Sequence, residues 1–256
     1  MDLGLKNKKV LITGGSKGIG LACARAFLAE GAQVALVSRS EENLKKANLK
    51  GAYTVAADLT DAAAAAAMVE RVEKEFGPLD VLVNSAGAAK RTDADDLTPA
   101  AWRAGMDAKY FSYINVIDPV IKRMGKRGRG AVINIIGSGG KVASPTHLAG
   151  GAANAALLLA TAGLAYAYAG KGVRVVGVSP GVTRTERVAE GLKAEAKRAN
   201  VSVEQAEMQM VARLPMGRPA EPEEIADIVV FAASERGRYL TGANISTDGA
   251  ASHVVI

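Results

Sequence analysis

Val10-Leu11-Ile12-Thr13-Gly14-Gly15-Ser16-Lys17-Gly18-Ile19-Gly20-Leu21-Ala22-Cys23-Ala24 reads as a short apolar strand, a glycine-rich turn and the opening of an Ala-rich helix that runs to Glu30. Glycines at such a junction permit a tight turn and let phosphates approach the backbone. The free N–H groups and positive dipole end of the helix face the same point. Strand, turn and helix together point to a dinucleotide-binding unit, with Gly14, Ser16, Lys17, Gly18, Ile19 and Gly20 along the pyrophosphate.

Working outward, short apolar β-branched runs alternate with helix-like segments to the end of the chain, at Val10–Thr13, Val34–Ser38, Tyr53–Ala57, Val81–Asn84, Val132–Ile136, Val173–Val178 and Ala243–Thr247. That alternation predicts an α/β protein of the Rossmann type: one doubly wound, parallel, seven-stranded sheet with helices on both faces, in a single domain over residues 1–256. Helix starts are visible at Ser40 before Glu41, at Thr60 before Asp61, and at Thr98 before Pro99. The run Ala62–Ala67 is ordinary helix-forming sequence. Residues 184–215 are charged, helical and strand-free, which predicts a lid over the sheet, with Arg187, Met208 and Met210 shaping a pocket beneath it.

The chain has 256 residues, 49% hydrophobic and 23% charged, enough for one well-buried domain. Its net charge of +6 is spread without a basic block or interleaved aromatics, which argues against nucleic acid. Cys23 is the single cysteine and reads as a reduced core residue of a cytoplasmic protein, and no Cys/His cluster is present to hold a metal. The uncharged stretch Leu148–Gly170 is long enough to span a bilayer, but it is largely Ala and Gly, so it reads as a buried or subunit-interface helix and not as a membrane anchor.

The second strand ends in Ser38-Arg39-Ser40, the position that faces the adenosine ribose in such folds. A carboxylate there would suit the ribose hydroxyl. Arg39 instead, with Lys17 in the glycine loop, suits a 2′-phosphate, since guanidinium offers a planar fork to phosphate oxygens. NADP(H) is the expected cofactor.

Thr13-Gly14-x-x-x-Gly18-x-Gly20, Asp58-Leu59, Asn84-Ser85-Ala86-Gly87, Pro180-Gly181, and Leu240-Thr241-Gly242 before a strand ending in Asp248-Gly249 occur in an order that resembles the short-chain dehydrogenase/reductase family over nearly the whole chain. The resemblance implies Asp58 and Leu59 at the adenine, Asn84, Ala86 and Gly87 along the ribose, and Pro180, Gly181, Thr183 and Thr185 at the nicotinamide. It also implies a homo-oligomer, a tetramer or dimer, joined through the Ala149–Ala169 face and the tail from Thr241 to Ile256.

The family's catalytic Ser matches Ser138, but aligned without a gap its Tyr-x-x-x-Lys pair falls on Gly151 and Ala155, and its supporting Asn on Lys109. The segment offers His147 one turn ahead of the vacant position, so the expected arrangement is His147 as general acid, with Lys109 supplying the missing positive charge from a neighbouring helix. Asn154 and Tyr113 are further polar candidates. The function expected is interconversion of a carbonyl and an alcohol on a small or medium organic substrate. The rival is an NADP(H)-binding sensor or scaffold without dehydrogenase activity. A lyase or isomerase using the nucleotide structurally is a third reading.

Overall fold

Parallel pairing needs crossovers long enough to return to the same sheet edge, and the helices between the strands supply them. The computed structural model describes residues 1–87 and 89–254. Its strands are β1 (Lys9–Thr13), β2 (Gln33–Ser38), β3 (Tyr53–Ala56), β4 (Val81–Asn84), β5 (Gly130–Ile135), β6 (Val173–Pro180) and β7 (Asn244–Thr247), all in one sheet of order β3-β2-β1-β4-β5-β6-β7. Every pairing is parallel, with Val10 opposite both Val34 and Val81. The inner strands are buried on both faces, which is why they read as continuous apolar runs without alternation.

The helices are α1 (Gly18–Ala29), α2 (Glu41–Ala47), α3 (Ala62–Glu75), α4 (Pro99–Met106), α5 (Ser112–Arg127), α6 (Leu148–Ala169), α7 (Glu186–Ala199), α8 (Val203–Val211) and α9 (Pro222–Ala233). One core layer joins α1 and α9 to the sheet through Phe27, Ile225 and Val229, and the other joins α3 and α5 through Val69, Val116 and Ile117. Cys23 lies wholly inside the first layer, where burial pushes its thiol up to about 12, far from reactive.

Two caps stand as expected: Ser40 Oγ accepts from Asn43 N at 3.1 Å and Thr98 Oγ1 from Ala101 N at 3.2 Å. The third is corrected. Asp61, not Thr60, caps α3 by accepting from Ala63 N and Ala64 N, while Thr60 donates to Asp58. A carboxylate accepts two orphan N–H groups at once and complements the helix dipole, so it outcompetes the hydroxyl.

α6 buries Ala149, Ala153, Leu157, Thr161 and Ala165 along one side and leaves Leu159 and Tyr166 exposed on the other, so it is half-buried and not fully enclosed. α7 and α8 form the excursion. Its base is pinned where Arg184 N donates to Ala220 O at 2.8 Å and Ala220 N to Val182 O at 3.0 Å. Of the tail expected at a subunit interface, residues 255–256 lie outside the described residues.

Candidate active site

Between β1 and β4 the chain changes direction across the sheet, and the C-terminal strand ends part there to leave a crevice. A cleft of about 770 Å³ occupies it, walled by the loops after β1 to β6. Thr13 Oγ1 ties the two central strand ends together: it accepts from Ser85 N and Ala86 N, each at 3.2 Å. Gly14, at φ +65°, runs so close to this turn that a Cβ would sit 2.8 Å from the Ala86 backbone. The backbone-to-backbone approach is what glycine makes possible there.

Gly14, Ser16, Lys17, Gly18 and Ile19 line this end of the cleft. Lys17 opens α1 with no side chain capping the helix, so the first-turn N–H groups remain available to an anion. Gly20 is buried behind the loop, where a Cβ would overlap the Gly14 carbonyl oxygen. From β2 come Ser38, whose Oγ accepts from Ser16 Oγ at 3.1 Å, with Arg39 and Ser40. Asp58 and Leu59 lie opposite. The Asp58 carboxylate accepts from Thr60 N at 3.0 Å and Thr60 Oγ1 at 2.8 Å, and these bonds, with a smaller contribution from the Arg39 charge, hold it below its usual range. Lys17 pairs with Glu186 at 3.6 Å, both largely exposed, an ion pair of little strength.

Ala86, Gly87, Pro180 and Thr185 complete the expected wall. Asn84, Gly181 and Thr183 lie behind it. Asn84 is fully buried and donates to Asn134 Oδ1 at 3.0 Å, and Asn134 donates in turn to Thr161 Oγ1 at 3.0 Å. This chain of side chains crosses the sheet from β4 to α6 and fixes strand register, a part the sequence reading assigned to none of the three. Its signal was available: two asparagines at equivalent places in neighbouring, otherwise apolar strands.

At the other end stands Lys109. α4 and α5 are joined by a wide turn, Asp107–Phe111, with π-helical bonding, and the extra residue per turn carries Lys109 inward. It is 8% exposed, with Nζ donating to Tyr113 Oη at 2.7 Å and Ile135 O at 2.9 Å. Tyr113 Oη donates to the same carbonyl at 2.6 Å. Among the described residues no carboxylate pairs with the ammonium, so burial first, then the nearby Arg187 charge, lowers it to about 7. Arg187, from the first turn of α7, also lines the cleft, whereas Met208 is 63% exposed and Met210 is not in the wall.

Ser138 and His147 lie outside that wall, the serine directly before the Gly139 against which the imidazole rests. Ser138 opens a short 3₁₀ segment after β5, and the imidazole lies against Gly139 and above Gly150, where a Cβ would overlap the ring. The absent side chain at Gly150 thus makes the seat that His147 fills, while a Cβ at Gly151 would press on the Gly139 carbonyl oxygen. Its Nδ1 is buried without a partner, as is Asn154 Oδ1 beside Gly137 and Gly140. Burial, then the charges of Arg91, Lys109 and Arg187, hold the imidazole below its ordinary value. The site therefore groups Lys109 with the dinucleotide cleft and groups Ser138, His147 and Asn154 beside it.

Residues 14–251 match the protein family described as Enoyl-(Acyl carrier protein) reductase. The chain is 33% identical to a 3alpha-hydroxysteroid dehydrogenase of Mediterraneibacter gnavus over 98% of its own length and 99% of that protein's. A solved structure described as a short chain dehydrogenase/reductase family protein superposes with a TM-score of 0.85 at 33% identity, covering 99% of this chain and 100% of that one. This chain belongs to the short-chain dehydrogenase/reductase family. L-Sorbose reductase of Gluconobacter frateurii, solved with NADPH and L-sorbose, superposes with a TM-score of 0.94 at 28% identity, with full coverage of both chains. This chain is accordingly an oxidoreductase, and the reading as a sensor or scaffold without redox chemistry is not favoured by relatives that are dehydrogenases and reductases.

Proposed function

We propose that the protein is an NADP(H)-dependent oxidoreductase that interconverts a carbonyl and an alcohol on a small or medium organic substrate, using an active site rebuilt around Lys109, Ser138 and His147. The observation that carries the reading is the cleft itself: an uncapped helix start beside a glycine turn at one end, a nearly buried lysine at the other, and Arg39 where the adenosine ribose would lie. NADPH, when bound, supplies the hydride. The chain's own residues have to deliver a proton to the carbonyl oxygen and hold the charge that develops there.

Ser138 Oγ, at the start of the short segment after β5, and the His147 imidazole, which rests against Gly139, are the proposed donors to that oxygen. Lys109, held in place by Tyr113 Oη and the Ile135 carbonyl, is the proposed source of positive charge when protonated. Gly14, Ser16, Lys17, Gly18 and Ile19 are proposed to hold the pyrophosphate, Ser38, Arg39 and Ser40 the 2′-phosphate, Asp58 and Leu59 the adenine, Ala86 and Gly87 the ribose, and Pro180 and Thr185 the nicotinamide. Gly20, Asn84, Gly181 and Thr183 act by shaping the loops. Residues 184–215 form the substrate lid within one domain. A cytoplasmic homo-oligomer, tetramer or dimer, is the proposed form, supported by the apolar face that α6 leaves exposed at Leu159 and Tyr166.

The test is NADPH oxidation with a panel of ketones and diketones, comparing wild type with His147→Ala and Lys109→Met. Each substitution is expected to lower turnover about a hundredfold or more while NADPH still binds. Full turnover in both variants sinks the assignment.

A further inference from the structure

The charged residues in the cleft wall are Lys17, Arg39, Asp58, Lys109, Glu186 and Arg187. Both acids already have a cation nearby. Glu186 pairs with Lys17 at 3.6 Å, and the Asp58 carboxylate feels Arg39. Lys109 and Arg187 are left without a hydrogen bond or ion pair to a carboxylate among the described residues. The lysine bonds only to neutral oxygens, and among the described residues Arg187 makes no ion pair within 4.0 Å. Glu190, one turn further along α7, is near enough for its charge to reach the guanidinium without closing a bridge. Lys109 stands at the strand end of β5, where it bonds the Ile135 carbonyl, and Arg187 in the first turn of α7 is near enough for its charge to reach the lysine.

Two more basic side chains flank that end. Arg91 donates to Thr146 Oγ1 at 3.3 Å, immediately before His147, and has no acidic partner among the described residues. The imidazole feels the charges of Arg91, Lys109 and Arg187 together, with its Nδ1 buried and unpartnered. Gathering like charges around a partly dry site is unfavourable unless something of opposite sign comes there.

We infer that the substrate carries an acid group, carboxylate or phosphate, seated between Arg187 and Lys109 beside the reacting carbonyl, so that these two cations, neither of them in an ion pair, select an anionic carbonyl compound over its neutral analogue. The inference rests on the oxidoreductase reading for the word substrate, but the anion seat itself does not depend on turnover. Guanidinium matches either acid by its planar fork, and closing α7 over the ligand would bring Arg187 to it without any change in the sheet.

Binding separates the two claims. Calorimetry on the protein, with and without saturating NADP⁺, would use acetoacetate against methyl acetoacetate for the carboxylate, and dihydroxyacetone phosphate against dihydroxyacetone for the phosphate. Oxidised cofactor cannot reduce these ketones, so affinity is read without chemistry. At least one acid is expected to bind about tenfold or more tightly than its neutral partner, and the pair that shows the preference identifies the acid. Arg187→Ala is expected to erase that preference, Arg187→Lys to restore part of it, and neither to change the affinity for NADP⁺ more than about twofold.

Equal affinity for acid and neutral probes, no binding of either acid, or a preference that survives Arg187→Ala overturns the inference. So does an Arg187→Ala variant that loses NADP⁺ and keeps the preference, because the arginine then serves the cofactor. The same probes with NADPH give the second readout: acid preference without turnover of any probe leaves the anion seat standing and sinks the redox reading, whereas turnover without preference does the reverse.

Discussion

The two ends of the cleft are built alike, each from a strand end and the helix beside it, yet they obey different constraints. At the β1–β2 end the proposed seat for the ligand is made of backbone: the turn at Gly14 and the uncapped start of α1 tolerate only one geometry, so few residue types fit and the motif is recognisable. At the β5–α6 end the work falls to side chains, and several chemistries reach the same point from different elements. Helix α6 runs unbroken through Gly151 and Ala155, the positions where the family resemblance would put a Tyr and a Lys, and Lys109 enters from the wide turn between α4 and α5. A binding site made of backbone keeps its signature, while one made of side chains can be rebuilt from another direction.

That contrast is sharpest at Gly14. In Gly14→Ala the added Cβ meets the Ala86 backbone at a φ of +65°, which L side chains avoid. The affinity for NADPH is expected to fall about a hundredfold or more, as read by fluorescence titration, in a protein whose circular dichroism shows the sheet intact. Ordinary affinity in that variant would mean that the turn does not meet the cofactor, and the distinction between the two ends would lose its basis.

The smaller effect concerns Lys109 and has the opposite sign. A buried ammonium with no carboxylate partner costs stability, so Lys109→Met is expected to make the protein more stable by about 1–3 kcal/mol near pH 6, although it loses activity. The folded value is near 7 and the free value 10.5. Between them the unfolded chain holds the proton and the folded chain does not, so wild-type stability rises with pH across that window. The advantage of the Met variant is therefore largest below pH 7, shrinks as pH rises and is gone above the free value. Urea unfolding of both proteins at several pH values reads this directly. A destabilised variant, or a gain independent of pH, would show that the lysine is not held as a strained charge.

Much of the fold was legible because its parts are local. β-branched runs marked the strands to within a residue or two, and Ser40, Thr98 and Pro99 marked two helix starts through their own capping chemistry. The glycine loop and Arg39 were legible at the site for the same reason. Arg187 at the cleft was also legible, from the charged excursion that carries it, and the two asparagines were visible in the sequence although their bonding across the sheet was not read from them, whereas the turn that rotates Lys109 inward depends on neighbours distant along the chain. The cap at Asp61 was missed on finer grounds, since two adjacent residues both suited the role and the carboxylate satisfied more donors.

The central claim, a phosphorylated dinucleotide held by the glycine turn and the cations beside it, meets its most direct test in calorimetric titration of wild type and Arg39→Ala with NADPH and with NADH. Wild type is expected to bind NADPH at least about tenfold more tightly than NADH, and the variant to lose about ten- to a hundredfold in affinity for NADPH alone. No heat with NADPH, or tighter binding of NADH by the wild type, would contradict it.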